Sequence, residues 1–177
     1  ALVCSNCDHL KFYINDKLVV EADPDRKQFQ YLRYAPFLVD IGPGLRHGWG
    51  NLHIEGYIGG KKVVEKKMSG RGVDSKFTVT ADDSTLAGDG ADTTRVVMRV
   101  TDEFDAIRPF ANDSIKLDLE GAAEIIGDNP FSLVGGGGAV WIRAKQRAGT
   151  VRLTATHPTL GVRRLEIQIT DAPPEEA

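Results

Sequence analysis

The sequence has 177 residues, a net charge of −3, 41% hydrophobic residues and 27% charged residues. This balance is typical of a soluble globular protein, and without a basic excess we expect no nucleic-acid partner. The longest apolar runs, such as residues 37–39, are far shorter than the roughly 20 residues of a membrane helix, so we expect no membrane partner. The chain starts without Met and without the features of a signal peptide, which is consistent with an excised fragment.

Many glycines and short alternating stretches predict an all-β chain. Residues 10–14 (LKFYI) alternate between apolar and polar side chains, as in a strand with one buried face. Asn15 and Asp16 tolerate left-handed turn geometry, so they predict a hairpin with a return strand at 18–21. The residues predicted to face inward are Leu10, Phe12 and Ile14.

The alternation in residues 51–58 predicts another strand, whose inward set is Leu52, Ile54 and Ile58. Gly59 and Gly60 supply a turn before the strand that returns at 62–67. The SGRG stretch at 69–72 then breaks the pattern. We therefore predict a first domain, a small β-sandwich, over residues 1–73.

A second sandwich is predicted over residues 74–172, followed by a disordered tail at 173–177. The stretch AGTVRLTAT, with Gly161 before a final strand, resembles the closing hairpin of bacterial immunoglobulin-like modules. The fold class is therefore predicted as all-β, with two consecutive immunoglobulin-like β-sandwich domains. The predicted inward residues are Val96, Met98, Val100, Ile115, Leu117, Leu119, Val140, Ile142, Ala144, Val151, Leu153, Ala155, Leu165, Ile167 and Ile169, with Trp141 on the opposite face.

Cys4 and Cys7 stand two residues apart in CSNC, a spacing that occurs in zinc and redox sites. A structural zinc site needs about four ligands, and no second Cys-x-x-Cys pair follows. A thioredoxin-like site expects a βαβ setting, which the strand pattern lacks. We interpret both residues as reduced thiols at the start of a strand, one of them buried as a small apolar side chain.

The sequence shows no catalytic constellation. Residues 135–138 (GGGG) lack the Lys-Ser or Lys-Thr of a phosphate-binding loop and precede a strand, so they predict an inter-strand loop. Adjacent carboxylates fall in turns or the tail, which favours solvated faces over a glycosidase cleft. Neither a Gly-x-Ser-x-Gly elbow nor a His-Glu-x-x-His motif occurs. We therefore predict no catalytic residue, no metal ligand and no cofactor.

Exposed aromatic side chains are the remaining candidates for function, because sugar-binding sandwiches stack rings against sugars. Trp49 lies in a glycine-rich turn, and Phe131 follows Asn129-Pro130. Together with Tyr57 they are the candidate sugar contacts, and carbohydrate is their candidate partner. The structural alternative is that Trp49 caps the sandwich edge and that Trp141 packs against the neighbouring domain.

Five segments, in order, resemble the C-terminal region of glycoside hydrolase family 2 enzymes. Two of them resemble hairpins of a small accessory domain there, and three resemble the immunoglobulin-like domain that follows it. The segments are SNCDHLKFYIND at 5–16, GYIGGKKVVEKK at 56–67, DSTLAGDGADTTRVVMRVTDEFDAIRPFANDSIKLDLEG at 83–121, IIGDNPF at 125–131 and AVWIRAKQRAGTVRLTAT at 139–156.

The resemblance implies a piece of a β-galactosidase-like retaining enzyme. In that family the acid/base lies in an Asn-Glu dipeptide on a (β/α)₈ barrel, and a second Glu is the nucleophile. This sequence has no Asn-Glu dipeptide and no room for a barrel of about 250 residues, so no catalytic residue is carried over. The partner that the resemblance implies is the catalytic barrel of the parent chain.

Two alternatives remain at this point: a carbohydrate-binding module, and an immunoglobulin-like array of a bacterial surface adhesin. The sequence leaves the glycan and the compartment open, whether cytoplasmic, periplasmic or secreted.

Overall fold

The computed structural model describes residues 1–46 and 48–172, so the predicted disordered tail at 173–177 lies outside the described residues. The described residues form two compact units: unit 1 contains residues within 1–73 and 103–106, and unit 2 contains residues 74–102 and 107–172. Strands dominate both units, which confirms the predicted fold class. Within the described residues, no helix has the length and apolar character needed to cross a membrane.

Unit 1 is built on an antiparallel sheet whose described strands run in the order β3-β2-β5-β6, with β1 and β4 paired separately. The strands are β1 (Leu2–Val3), β2 (His9–Ile14), β3 (Lys17–Ala22), β4 (Phe37–Leu38), β5 (Leu52–Ile58) and β6 (Lys61–Met68), with a 3₁₀ helix at Gly42–Leu45.

The β2–β3 hairpin turns at Asn15 and Asp16, as predicted. Their φ angles are 47° and 63°, the left-handed region that a two-residue hairpin turn requires. The Asn15 amide oxygen also accepts a hydrogen bond from the Asn51 backbone N–H at 2.9 Å. This contact fixes the turn against the residue that precedes β5.

One face of this sheet carries the core of unit 1. The predicted inward residues of β2 are all buried. Gly56 is closely packed by its neighbours. A Cβ at that position would be 2.6 Å from the Cys7 sulfur and 2.7 Å from a Val64 methyl carbon. Cys7 is buried and Cys4 is exposed, and both are free thiols, as predicted. The buried cluster comprises Cys7, Leu10, Phe12, Phe37 and Val39.

The predicted inward set of β5 is only partly correct. Leu52 and Ile54 pack against the core of unit 1, whereas Ile58 is 45% exposed. Ile58 pairs with Lys61 beside the Gly59-Gly60 turn, but it lies beyond Tyr57, the last residue of β5 that pairs with β2. All residues of the neighbouring strand β6 are exposed.

Unit 2 is a sandwich of two sheets. One contains strands in the order β12-β10-β14-β15-β8, where β15 and β8 are parallel, and the other has the order β11-β13-β9-β7. Its strands are β7 (Lys76–Ala81), β8 (Thr85–Gly88), β9 (Thr93–Thr101), β10 (Ser114–Glu120), β11 (Ala123–Ile126), β12 (Phe131–Ser132), β13 (Gly137–Ala144), β14 (Gly149–His157) and β15 (Gly161–Asp171).

The alternation predicted for unit 2 is confirmed. The predicted inward residues of its strands are buried in one core, except that Leu119 and Leu165 are partly buried and pack against it. Trp141 lies on the opposite, solvent-facing side of β13. Burial of one face of each sheet against the other is what a sandwich of alternating strands requires.

The glycine run divides between a turn and a strand. Gly135 and Gly136 have φ angles of 64° and 79°, and Gly137 begins β13. A Cβ at Gly138 would lie 2.2 Å from the ring of Phe131, so this ring packs directly over the glycine. The predicted loop therefore covers the first half of the run.

We expect Gly138→Ala to destabilise unit 2 by about 1–3 kcal/mol, because the added methyl group must displace the Phe131 ring. In a Phe131→Ala background, Gly138→Ala should change the free energy of unfolding little, since the obstructing ring is gone. Urea unfolding of the wild type, both single variants and the double variant measures this coupling.

Gly137→Ala is the matched control for this experiment. A Cβ at Gly137 would meet its nearest atom at 3.6 Å, an ordinary contact, so this variant should unfold close to the wild type. Equal costs of Gly138→Ala with and without the Phe131 ring would contradict the assigned packing.

Candidate functional site

The outer face of the unit 1 sheet carries a cluster of polar side chains around Glu55. Side chains alternate along a strand, so the face opposite the core collects every second residue of β2, β5 and β6. In the cross-strand register, Tyr13 lies opposite His53, and Glu55 lies opposite Glu65. We name this cluster the Glu55 network; its members are Tyr13, His53, Glu55, Tyr57, Lys62 and Glu65.

Glu55 is held as a carboxylate by three hydrogen-bond donors. Its Oε2 accepts hydrogen bonds from the hydroxyls of Tyr57 at 2.7 Å and Tyr13 at 3.0 Å, and its Oε1 accepts one from the Lys62 ammonium at 3.1 Å. These bonds, with that of Tyr57 the largest cause, lower the pKa of Glu55 to about 2 against the opposing effect of desolvation. The side chain is only 13% exposed.

His53 is fixed beside this carboxylate by stacking. Its ring lies over Tyr13 with centroids 5.2 Å apart and planes 26° apart. Its Nε2 lies 3.4 Å from Glu65 Oε2 and 3.9 Å from Glu55 Oε1. That nitrogen is buried and makes no aligned hydrogen bond to any described residue. His53, Glu55 and Glu65 each present one ligand atom within 4.8 Å of the others, the arrangement of a group that could hold a metal ion.

A second ionic cluster lies along the same face. His9 contacts Asp23 at 2.8 Å and Glu21 at 3.2 Å, and Lys11 contacts Glu21 at 2.9 Å. The hydrogen bond to Asp23 is the main cause that raises the pKa of His9 above its ordinary value. The His9 ring meets Tyr57 edge-on at 6.2 Å, so this cluster borders the Glu55 network.

The electrostatics of the Glu55 network favour cation binding over proton transfer. A retaining glycosidase needs two carboxyl groups about 5–5.5 Å apart, one of which has a raised pKa so that it can act as an acid. Here hydrogen bonds lower the pKa of Glu55, and the Lys62 contact is the main cause that lowers the pKa of Glu65. Both groups therefore stay ionised at neutral pH.

The three predicted sugar-contact residues lie in different settings. Trp49 is 81% exposed in the loop before β5, and Tyr57 lies near the far end of β5, about 17 Å along the strand from Leu52. The Tyr57 hydroxyl is bonded to Glu55. Phe131 belongs to unit 2, where it is partly buried and packs against the core. Trp49 is thus the most accessible of the three, and their contact with sugar stays a prediction.

The Glu55 network was not predicted from the sequence. A signal was present, because residues 53–57 read His-x-Glu-x-Tyr, which places three polar side chains on one face of a strand. Tyr13 and Glu65 join that face only through the pairing of β5 with β2 and β6. Sequence spacing alone does not bring such distant positions together.

We expect Glu55→Gln to lower the stability of unit 1 at pH 7 by about 1–3 kcal/mol, because charge-assisted hydrogen bonds are lost. The lowered pKa means that ionised Glu55 stabilises the fold above pH 4.5, and that this contribution is lost as the pH falls towards 2. The variant should therefore lose less stability than the wild type on acidification. Urea unfolding at pH 7 and at pH 3, with hydrogen exchange of the 52–58 amides reporting on unit 1, measures this.

Glu124→Gln is the control, since Glu124 forms an exposed ion pair with Arg143 in unit 2. Such pairs contribute about 0–1 kcal/mol to stability, so the free energy of unfolding of this variant should change between pH 7 and pH 3 as it does in the wild type. The same acid dependence in Glu55→Gln and the wild type would show that Glu55 is not held in its ionised form.

Comparison with known proteins identifies relatives of this chain. The family model described as glycoside hydrolase family 2 C-terminal domain 5 matches residues 77–166. The chain is 36% identical, over 87% of its length, to a β-galactosidase of Thermoanaerobacter pseudethanolicus, of which it spans 22%. It is 30% identical, over 77% of its length, to a β-galactosidase of Rhizobium meliloti, of which it spans 19%.

Among solved structures, the fold is similar to that of a glycosyl hydrolase family 2 member from Bacteroides cellulosilyticus. The TM-score is 0.71 at 17% identity, and the match covers 94% of this chain and 22% of that one. This likeness concerns the fold alone. The family match favours the glycoside hydrolase prediction over the adhesin alternative. With a model that matches half of its residues, the chain belongs to the glycoside hydrolase family 2 C-terminal domain 5 family.

Proposed function

We propose that this chain is a non-catalytic accessory part of a larger retaining glycoside hydrolase that acts on β-galactosides or related β-glycosides. The observation that carries the proposal is the match to β-galactosidases of which the chain spans only about a fifth. A (β/α)₈ barrel takes about 250 residues, more than this sequence contains. The proposed partner is therefore a catalytic barrel encoded elsewhere in the parent chain.

The character of the Glu55 network supports a non-catalytic role. A glycosidase separates the pKa values of its two carboxyl groups so that one donates a proton and the other attacks. The pKa values of Glu55 and Glu65 are instead both lowered, and the single Lys62 ammonium contacts both carboxylates. These groups suit ion pairing on the sheet surface.

The exposed side chains of β6 support a role in packing against the barrel. Val63, Val64 and Met68 are exposed on this strand, and Leu2 and Ile58 of unit 1 are exposed as well. Exposed apolar side chains that group on one element are a feature of surfaces that pack against another domain. We propose that the barrel of the parent chain covers this strand.

The purified chain should show no hydrolysis of a chromogenic β-galactoside above buffer, because its 177 residues are too few to form the proposed catalytic barrel of about 250 residues. The longer polypeptide encoded around residues 1–177 should hydrolyse the same substrate. The coding sequence should contain a barrel with an Asn-Glu dipeptide and a downstream Glu. Turnover by the chain alone, or flanking sequence that encodes only further sandwich repeats, would overturn the proposal.

Carbohydrate binding is the second candidate function, and the 81% exposure of Trp49 favours it. A free indole face can stack on a sugar ring. If the wild type is retarded in a gel that contains a β-galactan, Trp49→Ala should lose most of that retardation. Trp141→Ala, which removes a half-exposed indole from unit 2, is the matched control. Migration of the wild type unaffected by the polysaccharide would end this candidate.

A further inference from the structure

We propose that His53, Glu55 and Glu65 form a binding site for a divalent zinc ion, and that Lys62 is the cation that the metal displaces. The site joins β5 to β6 on the outer face of the unit 1 sheet. It is independent of the proposed glycosidase function.

The spacing of the three ligand atoms fits a zinc ion. Zinc holds nitrogen and oxygen ligands at about 2.0–2.2 Å, so neighbouring ligands in a tetrahedron lie about 3.3–3.5 Å apart. His53 Nε2 is 3.4 Å from Glu65 Oε2 and 3.9 Å from Glu55 Oε1. All three ligand atoms lie within 4.8 Å of one another, so the Glu55 carboxylate would have to move closer to His53 Nε2 when the ion binds.

His53 provides a nitrogen that is already prepared as a ligand. Its Nε2 is buried and, among the described residues, lacks an aligned hydrogen-bond partner. Its 3.4 Å contact with Glu65 Oε2 lacks hydrogen-bond alignment, and a bound metal ion would offset the free-energy cost of this poorly satisfied buried nitrogen. The stacking of the ring on Tyr13 holds the nitrogen towards the two carboxylates.

Glu55 is oriented so that its Oε1 can act as a metal ligand. The hydroxyls of Tyr57 and Tyr13 both bond its Oε2, which leaves Oε1 towards His53 and Glu65. Hydrogen bonds of this kind, made to the ligand rather than to the metal, orient metal ligands in proteins. Metal binding needs deprotonated carboxylates, the form that glutamate side chains ordinarily take at neutral pH.

The Lys62 ammonium marks the position of positive charge in the site. Its Nζ lies 3.1 Å from Glu55 Oε1 and 3.1 Å from Glu65 Oε2, the same two oxygens that would bind the metal. An ammonium and a zinc ion cannot share that position because like charges repel. The Lys62 side chain is 46% exposed, so the ammonium can move into solvent when metal binds.

The ligand set favours zinc over the hard cations. One imidazole nitrogen and two carboxylate oxygens are ligands that zinc accepts, and three protein ligands leave one position open in a four-coordinate site. Calcium takes 6–8 oxygen ligands, and magnesium prefers an octahedral shell that keeps several waters. This site offers two carboxylates and a nitrogen, so it should discriminate against both.

Isothermal titration of the chain with zinc chloride at pH 7.5, in a Cys4→Ser background, tests the proposal. That background removes the exposed thiol, which is itself a zinc ligand. We expect one zinc ion per chain, with affinity reduced about tenfold or more by His53→Ala and by Glu65→Gln. Lys62→Met should raise the affinity by about tenfold or more, since the competing ammonium is gone.

His9→Ala is the matched control, because His9 also contacts two carboxylates on the same face, in the neighbouring cluster. We expect its affinity for zinc to match that of the parent chain. A zinc-dependent shift of the His53 ring resonances by NMR, absent with calcium or magnesium, provides a second readout. The proposal fails if neither the parent chain nor Lys62→Met binds zinc at 1:1, or if His9→Ala weakens binding as much as His53→Ala.

Discussion

In the antiparallel register between β2 and β5, Phe12 lies opposite Ile54, and Lys11 lies opposite Glu55. The first pair belongs to the core side of the sheet and the second to its polar side. Side chains alternate with a period of two, so a slip of one residue would exchange the two sides throughout the strand. The same register therefore maintains the apolar core and the Glu55 network, and neither can change its pairing without the other.

Unit 1 has a small core for a sheet of this size. Among the described residues its buried cluster is confined to a few side chains, whereas the sandwich of unit 2 buries side chains from both of its sheets. The outer face of the unit 1 sheet is correspondingly rich in cross-strand polar contacts. Cross-strand pairs contribute to sheet stability along with the core. The Glu55 network therefore helps to hold β2, β5 and β6 together on the face opposite the core.

Much of the fold could be predicted from local patterns. The Asn15-Asp16 turn was predictable because few residues adopt left-handed φ angles, and the buried strands of unit 2 were predictable from their alternation. Ile58 was not, because it lies beyond Tyr57, the last residue of β5 that pairs with β2, and alternation along one strand does not show where a neighbouring strand ends. The Glu55 network depends on pairing between residues more than forty positions apart in sequence, such as Tyr13 and Glu55, which no local pattern encodes.

The exposure of β6 also has a consequence for self-association. An edge strand presents unpaired backbone groups that can template pairing with another chain, and long apolar edges promote aggregation. Here β6 is the last described strand of its sheet, and four of its eight residues are lysines: Lys61, Lys62, Lys66 and Lys67. Two copies aligned edge to edge would bring these ammonium groups together and strip water from them. These lysines therefore disfavour edge-to-edge pairing of two chains, while Val63 and Val64, which lie between them in the strand, remain exposed.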